Sequence, residues 1–377
     1  MNFTVTAGPH TYRNCPIRVD ADGSGAQPGE ASLVDANGNR LRCQVNIEGG
    51  KTVLTWIEPL MSAGESRRYT FEAAASGASG VEIEDVGEGK LEVRIGGRVF
   101  TRYHYGAEWV RPFLYPFIGP NDTPVTRGYP VVQDIPGEEQ DHPHHKSVWV
   151  AYGDVNGVDD WGEEGQHGWI RHVAFEEITS GPVFGRIRTR NDWTDRDGVK
   201  QMADVREFTF YNVGTERLMD VKVRLIAEPG NVELKGTKEG GIISVRVASS
   251  MDGVRSGLIT NAYGGKTEAE NWGKPAHWVD YCGQVNGKTM GITIMDHPTS
   301  FRYPSRWHVR DYGLFTANPF ALRDYEPERG ESGDHLMKQG EELSFAYRLL
   351  VHEGGTEDAG VGDRYFCFIA PPKAAVK

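Results

Sequence analysis

The chain has 377 residues, a formal net charge of -12 and 25% charged residues. That balance disfavours binding to nucleic-acid backbones or anionic membrane surfaces and leaves neutral small molecules and cationic partners open. With a mean hydropathy of -0.50 and no run of eighteen apolar residues, the sequence offers no membrane-spanning helix.

The first residues, MNFTVTAGPHTYRNCP, lack the basic region and apolar core of a signal peptide and read as a strand of a cytoplasmic protein. Asn37-Gly38 then marks a hairpin, and KTVLTWIEPL (51–60) alternates like a strand. About four or five strands precede AAASGASG (73–80), a small-residue, linker-like stretch. The expected division is a small N-terminal β-sandwich region over residues 1–76 and a large domain over 81–370.

KLEVRIGGRVFTRYHY (90–105) opens that second part. REFTFYNV, LMDVKVRLIA, GIISVRVAS, TMGITIMD and LSFAYRLLVH continue the period-two rhythm. Asn286-Gly287 joins two strands, and EDAGVGDRY (357–365) and the acidic stretch 324–342 are the places for a helical turn or two. The expected fold is all-β, a large antiparallel β-supersandwich. Cys15, Cys43, Cys282 and Cys367 are scattered singly and read as reduced, mostly buried thiols.

Three long segments break the strand rhythm, and loops of such length commonly carry a site. In RYHYGAEWVRPFLYPFIGP (102–120), Tyr103, Arg111 and Tyr115 belong to an aromatic group suited to sugar faces and hydroxyl rims. Ordinary aromatic core is the competing reading. In DHPHHKSVWVAYGDVNGVDDW (141–161), extended alternation puts His142 and His144 on one face and His145 on the other. Two imidazoles on one face begin a cupin-like metal site, with Glu139, Asp141, His167 and His172 available as further ligands. One divalent metal on His142, His144 and His172 is one reading; metal-free catalysis and a structural role are the others. Asn156-Gly157 reads as a hairpin capped by Asp154, with Asp159 or Asp160 free to face a pocket and Asn156, Asp159 and Trp161 as expected substrate contacts. NWGKPAHWVDYCG (271–283) and DHPTSFRYPSRWHVRDYGLFTANPF (296–320) repeat polar groups beside tryptophan. Lys238 and Glu239 stand at the mouth of a strand in which Arg246, flanked by apolar residues, must find a carboxylate, substrate or water.

Together RPFLYPFIGP, the histidine segment, GWIRH, KEGGIISVRVA, WVDYCG and SRWHVRDYGLFTANPF resemble a bacterial family of uncharacterised proteins labelled methane oxygenase PmoA-like. The label evokes a membrane monooxygenase subunit, which the hydropathy excludes. The resemblance implies a galactose-mutarotase-like supersandwich and sugar chemistry alongside a sugar oxidoreductase. It implies a small-molecule or oligosaccharide substrate, such as a glycoside or 3-keto-glycoside cleaved by a lyase or hydrolase. It carries over His142, His144, His145 and His172 from histidine motifs, His308 and Arg310 from W-H-x-R, and Trp278 and Asp280 from W-V-D-Y. Asp160 stands where that family more often has an aromatic residue. A carbohydrate-binding module using Trp272 or Trp278, and a cupin-like oxygenase, are the competing functions.

Overall fold

A computed structural model describes residues 1–23, 25–73 and 80–376. Most of the linker-like stretch, and with it the expected boundary, lies outside the described residues. The chain is all-β as expected: three large sheets and a two-stranded ribbon hold the named strands, every pairing antiparallel. Among the described residues no helix is long and apolar enough to cross a membrane.

The N-terminal region is one seven-stranded sheet rather than a sandwich. Its order runs Tyr12–Asp20, Lys51–Met61, Arg40–Glu48, Gly29–Asp35, Ser66–Glu72, Asn2–Thr6 and, last, Lys373–Val376. The two ends of that order approach each other, so the sheet nearly closes around Phe3, Val5, Ile17, Leu33 and Trp56. Curling buries an apolar face that would otherwise need a second layer. The closing strand comes from the far end of the sequence, so residues 1–76 do not complete this unit alone. The helix Val361–Ile369 adds Phe366 and Cys367 to the same core. All four cysteines are free and buried.

Two eight-stranded sheets form the expected supersandwich. The first runs Arg306–Val309, Leu314–Asn318, Gly240–Arg246, Val148–Tyr152, Phe113–Phe117, Arg98–His104, Lys90–Ile95, Val81–Gly87. The second runs Trp169–Thr179, Phe184–Thr194, Lys200–Tyr211, Arg217–Ile226, Glu342–Glu353, Lys288–Asp296, Trp278–Val285, Leu258–Asn261. Tyr103 of the first sheet meets Phe208 of the second with ring centroids 5.5 Å apart, and Phe315 meets Tyr281 at 5.7 Å. These contacts define the inner faces.

Register then settles what lies outside. His308, Thr316, Ser244, Trp149, Phe113 and His104 are successive cross-strand partners. Each is one residue from an inner-facing neighbour, so alternation turns this row to the outer face of the first sheet. Trp109 from the loop 105–112 packs on His104 and Phe113 of that row, and His145 from the loop before Val148 packs on Trp149, so loop residues cover this face.

Candidate active site on the outer face of the first sheet

Residues 142–145 are a turn and not an extended strand. His145 N donates to the His142 carbonyl at 2.9 Å across Pro143 and His144, and proline at the second place of a turn is pre-set for that bend. His142 itself has φ 43°. The expected alternation therefore fails, and the three rings gather. His142 stacks on His145 at 4.8 Å, and His144 meets His145 at 4.3 Å and His142 at 5.7 Å.

Aromatic walls enclose the group. His145 stacks on Trp149 at 5.3 Å and lies 5.5 Å from Trp161, which also reaches His144. Tyr312, in the turn between the strands Arg306–Val309 and Leu314–Asn318, lies nearly parallel to His142 at 5.0 Å.

Charge is organised around Asp141. Its Oδ2 takes the hydrogen bond of His142 Nδ1 at 2.7 Å. Its Oδ1 accepts from Arg246 Nη2 at 2.7 Å and from Arg127 Nη1. Both guanidinium side chains are fully buried. Arg246 found the carboxylate that its apolar flanks demanded, and Nη1 also contacts His145 Nδ1 at 3.1 Å. Partial burial pushes the Asp141 carboxyl up, but the bond to His142 and the two arginines outweigh it and hold it well below the usual carboxylate range. His144 is driven down to about 3 by burial and by Arg111, and burial keeps His145 neutral too. His142 is 38% exposed, and with Nδ1 committed to Asp141 its Nε2 is the ring nitrogen left to meet a substrate. A base whose ring is oriented by a carboxylate is the arrangement proton abstraction needs.

A second buried network supports the loop. Arg111 donates to the carbonyls of His144 at 3.1 Å and Trp161 at 2.7 Å, and pairs with Glu163 at 3.0 Å. Lys146 shares Glu163 and lies over the Trp109 ring. Burial and Arg111 lower Lys146 to about 8, against the pull of Glu163. The unfolded chain then binds more protons than the native one between about pH 8 and the ordinary lysine value near 10.4. Stability accordingly rises with pH across that window. Urea midpoints measured from about pH 8 to 10 are expected to climb in the protein and to lose that climb in Lys146→Met.

Other expected site residues stand at the rim of the same face. Arg310 lies over Tyr312 at 5.4 Å and pairs with Glu268 at 3.2 Å. Lys238 and Glu239 pair with each other at the start of the strand Gly240–Arg246, and the Glu239 charge is felt at Tyr312. His308 lies deeper, pushed down to about 3 by burial, with Lys238 and Arg310 adding to it.

The remaining expectations are redistributed. Tyr103 is an inner-face core residue, fully buried against Phe208. His172 lies on the second sheet, against Phe175 at 4.2 Å and Tyr105 at 4.8 Å, and its Nδ1 meets Thr189 Oγ1 at 2.8 Å. It makes no ring contact with the histidine turn, so the metal set His142, His144 and His172 is not assembled, and the cupin-like oxygenase reading loses its ligands. Tyr115 accepts His104 through its carbonyl and lines a separate groove with Glu92 and Arg102. Asn156 occupies the hairpin turn as expected, with φ 55° beside Gly157 at 84°, and bonds the strand Val232–Leu234 through Glu233. Asp154 caps that turn at 2.9 Å. Asp159 is spent on the amides of Trp161 and Gly162 at 2.8 and 2.9 Å. Trp278 and Asp280 lie on the outer face of the second sheet, across the sandwich from the histidines.

Sequence reasoning did not single out Arg127, Lys146 or Asp252. Asp252 is 1% exposed, and burial raises its carboxyl to about 7 despite Arg246 and Arg255. Only the two strand-like neighbours of Arg246 carried a readable signal; Arg127 sits in an unpatterned loop.

The model of a family of unknown function, DUF6807, matches residues 90–365. The chain belongs to the DUF6807 family. The matched span covers the histidine turn and all of the supersandwich strands but Val81–Gly87. No curated protein matches the chain. Among solved structures it is similar to a protein of glycosyl hydrolase family 38 from Enterococcus faecalis, at 9% identity and TM-score 0.44, covering 100% of this chain and 47% of that one. The DUF6807 chain thus spans about half the length of that structure. It is also similar to a galactose mutarotase-like protein from Clostridium acetobutylicum, at 9% identity and TM-score 0.32, covering 74% of this chain and 100% of the other. A third is a family 36 alpha-galactosidase from Geobacillus stearothermophilus, at 10% identity and TM-score 0.35, covering 73% and 41%.

Proposed function

We propose that the chain is a carbohydrate-active enzyme that cleaves a glycoside oxidised at C3, with His142 as the base. The observation that carries this reading is the pair Asp141–His142, in which Nδ1 is held at 2.7 Å while His145 and Tyr312 stack on the ring at 4.8 and 5.0 Å. A ketone at C3 acidifies the C2–H bond. His142 Nε2 takes that proton, and the electron pair moves onto the ketone oxygen as an enolate beside the cationic Arg310. Collapse of the enolate expels the glycosidic oxygen from C1. Burial, the leading influence on Tyr312, pushes its hydroxyl up to about 12, so it stays protonated at neutral pH and can deliver a proton to the departing oxygen. Addition of water to the unsaturated product would make the net reaction a hydrolysis. The substrate's ketone has to come from a sugar oxidoreductase acting earlier.

The binding-module alternative draws less support. Trp272 packs edge-on against Tyr325 at 5.0 Å and Trp278 joins a core cluster on the other sheet, so the two do not form one flat platform. The test is a panel of glycosides and their 3-keto derivatives incubated in deuterium oxide. Deuterium exchange at C2 and release of the aglycone are expected with the keto forms only. Binding without exchange or release would discard the enzyme reading.

A further inference from the structure

Because Tyr281 points inward against Phe315, Asp280 and Cys282 both point to the opposite face of the second sheet. Their row partners are Thr293 and Gly291, and Gly291 in turn pairs with His352. A side chain at Gly291 would meet His352 Cε1 at 2.3 Å and Cys282 Sγ at 2.9 Å. The glycine therefore leaves the space into which the thiol and the imidazole lean from either side.

Asp280 closes the group. Its Oδ1 lies 3.1 Å from His352 Nε2 and accepts Thr293 Oγ1 at 2.9 Å; its Oδ2 lies 3.1 Å from Cys282 Sγ and accepts Thr356 Oγ1 at 2.6 Å. Asp280, His352 and Cys282 are 0%, 1% and 4% exposed. Among the described residues they are the only three His, Cys, Asp or Glu side chains whose ligand atoms all lie within 4.8 Å of one another. The other ring nitrogen, His352 Nδ1, is buried without a hydrogen-bond partner.

We propose that Asp280, Cys282 and His352 bind one divalent transition metal of the zinc type, as a structural ion pinning the strands Trp278–Val285 and Glu342–Glu353 to the loop that carries Thr356. Sulfur, nitrogen and oxygen donors together suit such a borderline ion. Charge balances: the thiol loses its proton, the imidazole binds in its neutral form, and the dication offsets one thiolate and one carboxylate. Thr293 and Thr356 orient the carboxylate from behind, as outer partners of metal ligands do. A buried water would complete the four-coordinate set a structural ion takes, and burial of all three donors leaves a substrate no way in, so the ion holds structure and does no chemistry. The site lies across the sandwich from the histidine turn, and its reading does not depend on the proposed reaction.

The full-length protein, stripped with chelator and dialysed, is to be titrated with Co²⁺. The expected result is one ion per chain, a near-ultraviolet thiolate-to-cobalt absorption and a higher melting temperature. Cys282→Ser is expected to abolish the absorption, and Thr356→Val, which spares the ligands, to weaken binding about 10–100-fold. His142→Ala is expected to keep both the absorption and the stoichiometry. Absence of uptake, an absorption that survives Cys282→Ser, or loss of the metal in His142→Ala would each overturn the proposal and leave the cluster as a buried His–Asp ion pair with a thiol neighbour.

Discussion

His142→Ala is expected to lower turnover of a 3-keto-glycoside by about 10²–10⁴-fold, the usual contribution of a positioned acid–base group. The loss should fall on kcat, since the ring meets the reacting C2 proton and little else of the sugar. Asp141→Asn should keep the hydrogen bond to Nδ1 in altered form yet remove the charge that steadies the imidazolium, giving a smaller loss and a displaced pH profile. His144→Ala separates the two neighbours. Burial and Arg111 keep His144 unprotonated down to about pH 3, so it is a poor acid, and its removal should raise KM more than it lowers kcat. Equal loss of kcat in His144→Ala and His142→Ala would count against His142 as the sole base.

Asp141→Ala is expected to destabilise the protein by about 2–3 kcal/mol, below the range for a fully buried pair because the Asp141 side chain is 38% exposed. Two guanidinium groups depend on this carboxylate, Arg127 and Arg246, and neither side chain has solvent exposure. Arg127 would retain the carbonyls of His142 and Glu139, and Arg246 would retain His145 Nδ1, but neither acceptor carries a full charge. Urea denaturation measures the cost. Replacing Arg246 with Met alongside Asp141→Ala should restore part of it, since removing both charges leaves fewer groups unpaired. The pH dependence has a definite sign. The native Asp141 carboxyl is held below its unfolded value, so its stabilisation is present above the ordinary aspartate range and is lost as pH falls through that range toward the native value. A variant as stable as the parent would show that water, and not Asp141, satisfies the arginines.

Much of the fold was legible because β-structure writes its period directly into the chain. LMDVKVRLIA became Arg217–Ile226, TMGITIMD became Lys288–Asp296 and LSFAYRLLVH became Glu342–Glu353. Asn286-Gly287 and Asn156-Gly157 both adopt the positive φ values of a two-residue hairpin turn, as glycine and asparagine allow at low cost. EDAGVGDRY led into the helix Val361–Ile369. One strand of the N-terminal unit was not legible: Lys373–Val376 pairs with Asn2–Thr6, and no local pattern reveals a partner so far away in sequence.

The site divides in the same way. Residue types by themselves singled out the histidine segment, Trp161 and the need of Arg246 for an anion, because an arginine between apolar strand residues cannot be left unpaired. What alternation could not supply was the turn at Pro143, which swings three imidazoles together instead of dividing them between two faces. Nor could it sort the outer faces of two different sheets. His172, Trp278 and Asp280 share motifs and residue types with the histidine turn, yet strand order puts Asp280 beside His352 and Cys282, and His172 beside Thr189. Period and turn chemistry act over a few residues and are determined by the sequence alone. Which sheet a strand joins, and so which charges meet, depends on pairings between distant segments and was decided only by the tertiary structure.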